Sequence, residues 1–218
     1  RSTTYIQRDV AEILDVRNLQ SFRTFLKLCA QNAGQLVNIS KLAVETGVSN
    51  KTAKEWLSIL TSSYIIFMLP PYASNERKRL TKTAKLYFYD TGLLSYLLGI
   101  TSVEQLVLHK KRGEVFENLI IEETLKKHLN ADEEPELYFY RDSNQVEVDL
   151  MDMTDVGNPQ LIEIKSGQTA RDDFCKHLVT VGNELGMPAE QRSVVYRGDT
   201  DFSNAVASFV SARTFLTR

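Results

Sequence analysis

Two acidic residues and a lysine, Asp149, Glu163 and Lys165, have the types and the order that a hydrolytic metal site needs. A divalent cation such as Mg²⁺ or Mn²⁺ takes oxygen ligands, and is commonly held by one or two carboxylates, water and a substrate phosphate. The metal polarises a phosphoryl oxygen, while a neighbouring lysine orients or helps to deprotonate the attacking water. We therefore predict that Asp149 and Glu163 bind the metal and that Lys165 acts on the water in phosphodiester hydrolysis.

Two strands are predicted to position these three residues. Residues 138–150 and 161–167 both alternate apolar with polar residues, as half-buried strands do. Residues two apart in a strand point to the same face of the sheet, so Glu163 and Lys165 share a charged face. Asp149 joins that face if the strands pair in a suitable register. The alternative is an ordinary exposed ion pair between Glu163 and Lys165, which would contribute little to stability.

A helix over residues 114–129 is predicted to add a fourth group, Glu117. Ile120 and Ile121 follow three and four positions later, so the carboxylate leaves the helix against apolar surface. An unpaired charge is costly there, and a metal or a lysine partner would explain it. Three other polar residues of this helix are expected to be exposed: Glu122, Glu123 and His128.

The ordered set of Glu117, Asp149, Glu163 and Lys165 resembles the core of the PD-(D/E)XK nuclease superfamily. The resemblance implies a restriction-endonuclease-like α/β/α domain with a mixed sheet, and Mg²⁺-dependent DNA cleavage. Val148 stands where typical members have proline, which leaves open a nuclease fold kept without catalysis. The elements predicted after Gly167 fit the topology: a helix over 170–186, a strand over 193–196 and a closing helix over 201–215.

The N-terminal half is predicted to be a helical winged helix-turn-helix domain. The second helix of the helix-turn-helix motif starts at the N-cap Ser49, and a polar hairpin joins the two strands of the domain. Basic residues of these two elements are expected to contact DNA phosphates, although such modules also dock proteins. The predicted elements are helices over 5–16, 19–32, Ile39–Thr46 and 49–60, then strands over 64–69 and 85–89. The predicted DNA-binding residues are Lys51, Thr52, Lys54, Arg77, Lys78, Arg79 and Lys82.

Charge divides the chain into two predicted domains, a winged helix-turn-helix domain over 1–100 and a nuclease-like domain over 101–218. Residues 1–100 contain 13 Lys and Arg against 7 Asp and Glu, whereas residues 101–218 contain 13 against 21. A basic half attracts polyanions, while an acidic half needs cations to approach them. The two cysteines, Cys29 and Cys175, suggest neither a disulfide framework nor a zinc site. We expect a cytoplasmic protein without a membrane span.

A wider set of motifs is similar to the C-terminal half of a prokaryotic family of AAA+ ATPases of unassigned role. The resemblance implies that a P-loop ATPase domain precedes Arg1 in the full protein, where it could form oligomers. No G-x-x-x-x-G-K-[ST] loop occurs in the sequence, so no ATP site is expected here. Two functions stay open: a DNA-binding and DNA-cleaving arm of the ATPase, or a catalytically inactive module that recognises DNA or a protein partner. The motifs include Tyr5, Arg8-Asp9-Val10, Gly34-Gln35-Leu36, Val48-Ser49, Thr52, Trp56-Leu57-Ser58-Ile59-Leu60, Leu69-Pro70-Pro71-Tyr72, Lys85-Leu86-Tyr87-Phe88-Tyr89-Asp90-Thr91-Gly92-Leu93, Gly113, Phe116-Glu117-Asn118, Tyr140-Arg141-Asp142, Glu147-Val148-Asp149 and Glu163-Ile164-Lys165-Ser166-Gly167.

Overall fold

The computed structural model describes residues 19–73 and 83–217, which form a mixed α/β protein with eight α-helices. These residues divide into two compact units, one comprising 19–68 and 84–111, the other 69–73, 83 and 112–217. No helix within the described ranges is both long enough and apolar enough to cross a membrane. The helix predicted over 5–16 lies outside the described residues.

Local signals set the bounds of the helix-turn-helix region. The second helix, Ile39–Thr46, begins where Asn38 accepts the backbone N–H of Lys41 and ends at Gly47, whose φ of 74° is left-handed. The third helix begins after Ser49, whose side chain accepts the N–H of Thr52. The elements up to Lys111 are α1 (Leu19–Gln31), α2 (Ile39–Thr46), α3 (Asn50–Ser62), β1 (Ile66–Leu69), β2 (Lys85–Phe88), α4 (Thr91–Leu97) and α5 (Val103–Leu108).

Aromatic packing forms the core of the first unit. Trp56 on α3 meets the rings of Phe22 and Phe25 on α1 edge-on, with centroids 5.3 Å apart in both pairs. Backbone hydrogen bonds join residues 34–37 to residues 84–86, so an extended segment lies beside β2 opposite β1. The helices thus pack on a short sheet, in the element order that the sequence predicts.

The second unit is built on a mixed six-stranded sheet with the order β3-β4-β5-β6-β8-β7. The three pairs β3/β4, β4/β5 and β7/β8 are antiparallel, whereas β5/β6 and β6/β8 are parallel. The prediction of a mixed sheet is therefore confirmed. The elements are α6 (Arg112–Asn130), β3 (Leu137–Arg141), β4 (Glu147–Asp152), β5 (Gln160–Lys165), α7 (Lys176–Leu185), β6 (Arg192–Tyr196), β7 (Phe202–Ser203), β8 (Ser208–Ser211) and α8 (Ala212–Thr217), with 3₁₀ turns at Asp172–Cys175 and Ala189–Gln191.

The two faces of this sheet carry different side chains. Alternate sheet residues such as Leu161 and Val194 pack with Leu178 and Val181 of α7 in one apolar cluster. Their neighbours in the strands, including Ile162, point to the opposite face, where α6 and α8 lie. The sheet is therefore covered by helices on both faces, and α7 packs on the face to which Glu163 belongs.

The prediction of one strand over 138–150 was wrong, because residues 142–146 turn the chain back on itself. The Asp142 carboxylate accepts the backbone N–H groups of Asn144 and Val146, both at 2.8 Å, and Gln145 has a φ of 62°. An aspartate that binds the backbone two residues ahead is a turn former. The segment consequently makes an antiparallel hairpin of β3 and β4.

The closing helix predicted over 201–215 was also wrong. The segment forms β7, a turn and β8, and only residues 212–217 are helical. The Asn204 side chain accepts the N–H groups of Val206 and Ala207, which stabilises the turn. Phe202 and Phe209 then stack across the hairpin with centroids 4.6 Å apart. The helix predicted over 170–186 begins later, as a 3₁₀ turn followed by α7.

Candidate functional site

The register of β4 and β5 brings Asp149 to Glu163. Leu150 pairs with Ile162 in the antiparallel ladder. Asp149 precedes Leu150 and Glu163 follows Ile162, so these two residues lie opposite each other and leave the sheet on the same face. Here the Asp149 side chain accepts the backbone N–H of Ile164 at 2.8 Å. That bond fixes the Asp149 carboxylate at the end of the ladder, beside the strand that carries Glu163.

Glu163 is a buried carboxylate with only one of its two oxygens engaged. The residue is 5% exposed. Its Oε1 accepts a hydrogen bond from Lys165 Nζ at 2.5 Å, as expected for residues two apart on one strand face. Its Oε2 is buried and has no hydrogen-bond partner among the described residues. A buried carboxylate oxygen without a donor is costly, so this oxygen favours a proton or a bound cation.

Electrostatics connects Glu117 to the same cluster. Burial raises the pKa of Glu163 to about 8, and the negative charges of Asp149 and Glu117 add to the effect, against the opposing charge of Lys165. Burial lowers the pKa of Lys165, but Asp149, Glu163 and Glu117 together outweigh burial and raise it. The structure therefore places Asp149, Glu163 and Lys165 together, and the charge of Glu117 acts on the pKa values of Glu163 and Lys165.

The start of α6 lies close to the end of β5, which positions Glu117. A Cβ atom on Gly113 would lie 3.8 Å from the Ser166 hydroxyl, just after Lys165. Glu117 follows one helical turn later and is half-buried. Because a helix turn is about 5.4 Å long, this close approach keeps Glu117 within electrostatic range of the strand residues.

The donor set of the cluster is sparse for a protein-only metal cage. Within residues 19–73 and 83–217, no group of three or more His, Cys, Asp or Glu side chains is arranged to hold a metal ion. Two carboxylates completed by water suffice for Mg²⁺.

The first unit presents the predicted DNA-binding residues of α3 in different ways. Lys51 and Lys54 are exposed, and Lys51 Nζ lies 4.0 Å from a carboxylate oxygen of Glu55. Thr52 is half-buried and its hydroxyl lies 2.9 Å from the Ser49 hydroxyl at the helix N-cap. The four predicted hairpin residues lie outside the described residues: Arg77, Lys78, Arg79 and Lys82.

His128, which was expected at the surface, is instead largely buried in a bridge. Its two ring nitrogens lie 2.6 Å from Glu133 and 2.7 Å from Asp152, and its side chain is 13% exposed. Burial lowers the pKa of His128, but the hydrogen bonds and charges of the two carboxylates outweigh burial and raise it. Asp152 lies 24 residues away on β4, and no local pattern links it to the histidine.

Glu122 was also expected at the surface, and that expectation was wrong. Its side chain is only 3% exposed, with Lys126 Nζ at 3.4 Å from its Oε1. The four-residue spacing to Lys126 is the sequence signal that could have indicated a partner. Glu123, which also contacts Lys126, is 41% exposed at the side chain.

Comparisons with known proteins divide the chain in two. Residues 1–104 match Domain of unknown function (DUF8612), and residues 112–215 match Domain of unknown function (DUF4143). Uncharacterized proteins of Mycobacterium tuberculosis and Mycobacterium bovis are each 32% identical over 202 residues, 92% of this chain and 43% of theirs. An uncharacterized protein of Haemophilus influenzae is 24% identical over 136 residues, 58% of this chain and 31% of its own. The chain thus spans less than half the length of these relatives. No solved structure matches the chain significantly.

Proposed function

We propose that this chain is a DNA-binding and metal-dependent DNA-cleaving arm of a larger ATPase. The observation that carries the proposal is the buried Glu163 carboxylate, whose Oε2 lacks a partner among the described residues while Asp149 and Lys165 lie beside it. Most buried polar atoms in proteins have a hydrogen-bond partner, so an open buried carboxylate oxygen calls for an explanation. An open carboxylate oxygen beside a second carboxylate and a lysine is suited to a hydrated Mg²⁺ or Mn²⁺ ion.

The proposed roles follow from what each residue contacts. Asp149 and Glu163 would hold the cation, and Glu117 would support its charge from α6. Lys165, which already donates to Glu163 at 2.5 Å, has further protons for a water molecule or a phosphate oxygen. The cation would polarise a phosphoryl oxygen and lower the pKa of a bound water.

The fold of each unit supports the proposal. A mixed sheet with helices on both faces, and a helix that delivers Glu117 to the end of β5, agrees with a PD-(D/E)XK nuclease-like domain. The first unit agrees with a winged helix, since it contains α2, the turn at Gly47, α3 and a short sheet. Its helix α3 presents Lys51 and Lys54 to solvent. We propose that these lysines contact the phosphate backbone.

The length of the relatives fits the proposed AAA+ ATPase partner. The two mycobacterial proteins extend well beyond the matched region, because that region is 43% of their length. We propose that the remainder of such a protein carries the P-loop ATPase domain and that this chain is the arm it moves along or against DNA. The proposed setting is the cytoplasm, and assembly into oligomers would come from the ATPase domain.

Cleavage and metal binding are tested together. We would titrate Mg²⁺ and Mn²⁺ by calorimetry into the wild type and the Asp149→Asn/Glu163→Gln double variant, and assay cleavage of supercoiled and branched DNA in parallel. The control Glu190→Gln removes one negative charge from an exposed position before β6. The proposal predicts metal binding and cleavage in the wild type and the control only. Absence of metal binding in the wild type, or cleavage that survives in the double variant, would contradict it.

DNA contact by the first unit has its own test. Lys51→Ala/Lys54→Ala is compared with Arg23→Ala/Lys27→Ala, which removes two exposed cations from α1. Each lost phosphate contact should weaken binding to every duplex and reduce the slope of log K against log salt by about one. Equal affinity of the two double variants would remove α3 from the proposed interface.

A catalytically inactive interaction module is the second candidate. One observation favours it: Lys165 occupies Glu163 Oε1 and the Ile164 N–H occupies Asp149 Oδ2, so protein groups already engage one oxygen of each predicted ligand. This candidate predicts that the Asp149→Asn/Glu163→Gln variant binds DNA or a protein partner as the wild type does, with no cleavage in either protein.

A further inference from the structure

A second concave site lies on the opposite face of the large sheet. An open cavity of about 550 Å³ is bordered by the C-terminal half of α6, the sheet and α8. Ile162 lines it, and because Ile162 precedes Glu163 in β5, its side chain points away from the acidic cluster. Ligand sites commonly have volumes of about 300–1,000 Å³. The proposed nuclease chemistry makes no use of this cavity.

The floor of the cavity is apolar. Ile162 and Val210 come from the sheet and are 4% and 5% exposed, whereas Phe215 and Leu216 come from α8. Phe215 is half-buried and Leu216 is 40% exposed, so α8 leaves part of its apolar surface open to the cavity. An aromatic ring or a branched hydrocarbon placed on this floor would displace water from apolar surface.

One lysine that lines the cavity is not engaged by a carboxylate of the described residues. Asp152 is paired with His128 at 2.7 Å, and Glu123 with Lys126 at 3.0 Å. Lys127 also lines the cavity and is exposed, and no hydrogen bond or ion pair engages it within the part of the chain that the structure describes. Lys126 also contacts Glu122, and His128 also contacts Glu133, so each of these two cations is shared between two carboxylates. Lys127 is therefore the lining cation that remains available to an acidic ligand.

Two neutral polar groups add hydrogen-bond donors. Ser193 on β6 is half-buried at the cavity wall and Asn130 lies at the end of α6. Neither side chain has a hydrogen-bond partner among the described residues. A hydroxyl and an amide can both donate, as can the ammonium of Lys127. The cavity therefore offers uncommitted donors around an apolar floor, a combination that matches acceptor groups on an apolar ligand.

We propose that this cavity binds a small amphipathic anion, with an aromatic or branched apolar body on the Ile162, Val210 and Phe215 floor and an acidic group at Lys127. The acidic group is a carboxylate, sulfonate or phosphate, since each presents several acceptor oxygens to an ammonium. The site is separate from the acidic cluster and assigns the second unit a ligand of its own.

The probe for this site is 1-anilinonaphthalene-8-sulfonate, which combines aromatic rings with one sulfonate. Fluorescence titration of the folded chain should give one saturable site. Lys127→Glu should weaken its binding several-fold, because the substitution replaces attraction by repulsion at an exposed ion contact. Ser193→Phe, which fills the cavity from its wall, should abolish binding. Affinity in the wild type should fall as salt rises from 0.05 to 0.5 M, because the ion contact is exposed.

Lys176→Glu is the matched control, since Lys176 is an exposed lysine at the start of α7, across the sheet from the cavity. It should bind the probe as the wild type does. Hydrogen exchange should show protection by the probe in β5 and β6, which checks the location even if Ser193→Phe misfolds. Equal affinity of the wild type and Lys127→Glu, equal weakening by Lys176→Glu, or protection confined to other elements would overturn the proposal.

Discussion

Replacing Glu163 with glutamine should stabilise the metal-free protein at neutral pH, although it alters the contact with Lys165. Burial and the charge of Asp149 raise the pKa of Glu163 from 4.5 to about 8. The unfolded chain releases this proton near pH 4.5, whereas the folded protein keeps it to about pH 8. For an acid whose pKa is raised by folding, the unfolded state binds fewer protons in this window, so stability falls as the pH rises.

The expected change in unfolding free energy follows from the size of the pKa shift of Glu163. One pKa unit is worth about 1.4 kcal/mol, so the ionisable carboxyl costs the fold about 3 kcal/mol at pH 7 and less than about 1 kcal/mol at pH 5. The glutamine amide brings a cost of its own, about 1–2 kcal/mol, because its N–H groups need acceptors in a buried position. We therefore expect Glu163→Gln to be more stable than the wild type by about 1–2 kcal/mol at pH 7, and no more stable at pH 5.

Urea unfolding at pH 5, 6, 7 and 8 in the presence of a chelator measures this difference. Glu190→Gln serves as the charge control and should follow the wild type at each pH. Adding Mn²⁺ at ten times its dissociation constant should then stabilise the wild type by about 1.4 kcal/mol and leave Glu163→Gln unchanged. The reasoning is refuted if Glu163→Gln is less stable than the wild type at every pH, since the ion pair would then outweigh the cost of burying the carboxylate.

Three further predictions concern single contacts, and urea unfolding checks each of them. Gly182→Ala should cost about 3 kcal/mol, because the new Cβ would clash with Arg192 Nε. Arg192 carries a buried guanidinium that donates hydrogen bonds to Met187 O and to the side-chain amide of Asn183. A similar cost in an Arg192→Leu background would disprove the clash. His128→Gln should destabilise the protein more at pH 5.5 than at pH 8. Folding raises the pKa of His128, so the histidine stabilises the fold below about pH 6.5, and this stabilisation is lost as the pH rises through the folded pKa. A loss of stability that does not depend on pH would contradict the raised pKa. Ser49→Ala should cost about 1 kcal/mol by removing the N-cap of α3, and an unchanged midpoint would show that the cap is dispensable.

Elements whose ends are marked by local chemistry were predictable from the sequence. The bounds of α2 were predicted without error, because Gly47 ends the helix with a left-handed φ that glycine adopts at no steric cost. The acidic cluster was predictable for a similar reason. Side-chain alternation in β5 fixes the face of Glu163 and Lys165, and only the register with β4 was needed to add Asp149.

Apolar spacing alone misled the prediction where strand and helix patterns coincide. Phe202, Val206, Phe209 and Val210 have helical spacing, yet Phe202 and Phe209 meet across a β-hairpin. The turn that separates them depends on Asn204, a residue whose side chain competes with helical hydrogen bonds. The bridge from His128 was missed for another reason, since its partner on β4 is distant in sequence and its position depends on the tertiary fold.

The energetics of the acidic cluster bears on the choice between the two proposed functions. Burying Glu163 beside Asp149 opposes folding, because burial and like charge both disfavour the ionised carboxyl. An apolar residue at position 163 would continue the cluster formed by Leu161 and Val194 at no such cost, and replacing buried ion pairs by apolar groups is often stabilising. A module that only recognises partners has no need of a carboxylate buried on an inner sheet face. A cation-binding site does need one, since a bound cation converts the repulsion between Asp149 and Glu163 into shared coordination. A bound cation would offset this cost, which supports the proposed metal site over the proposed recognition module.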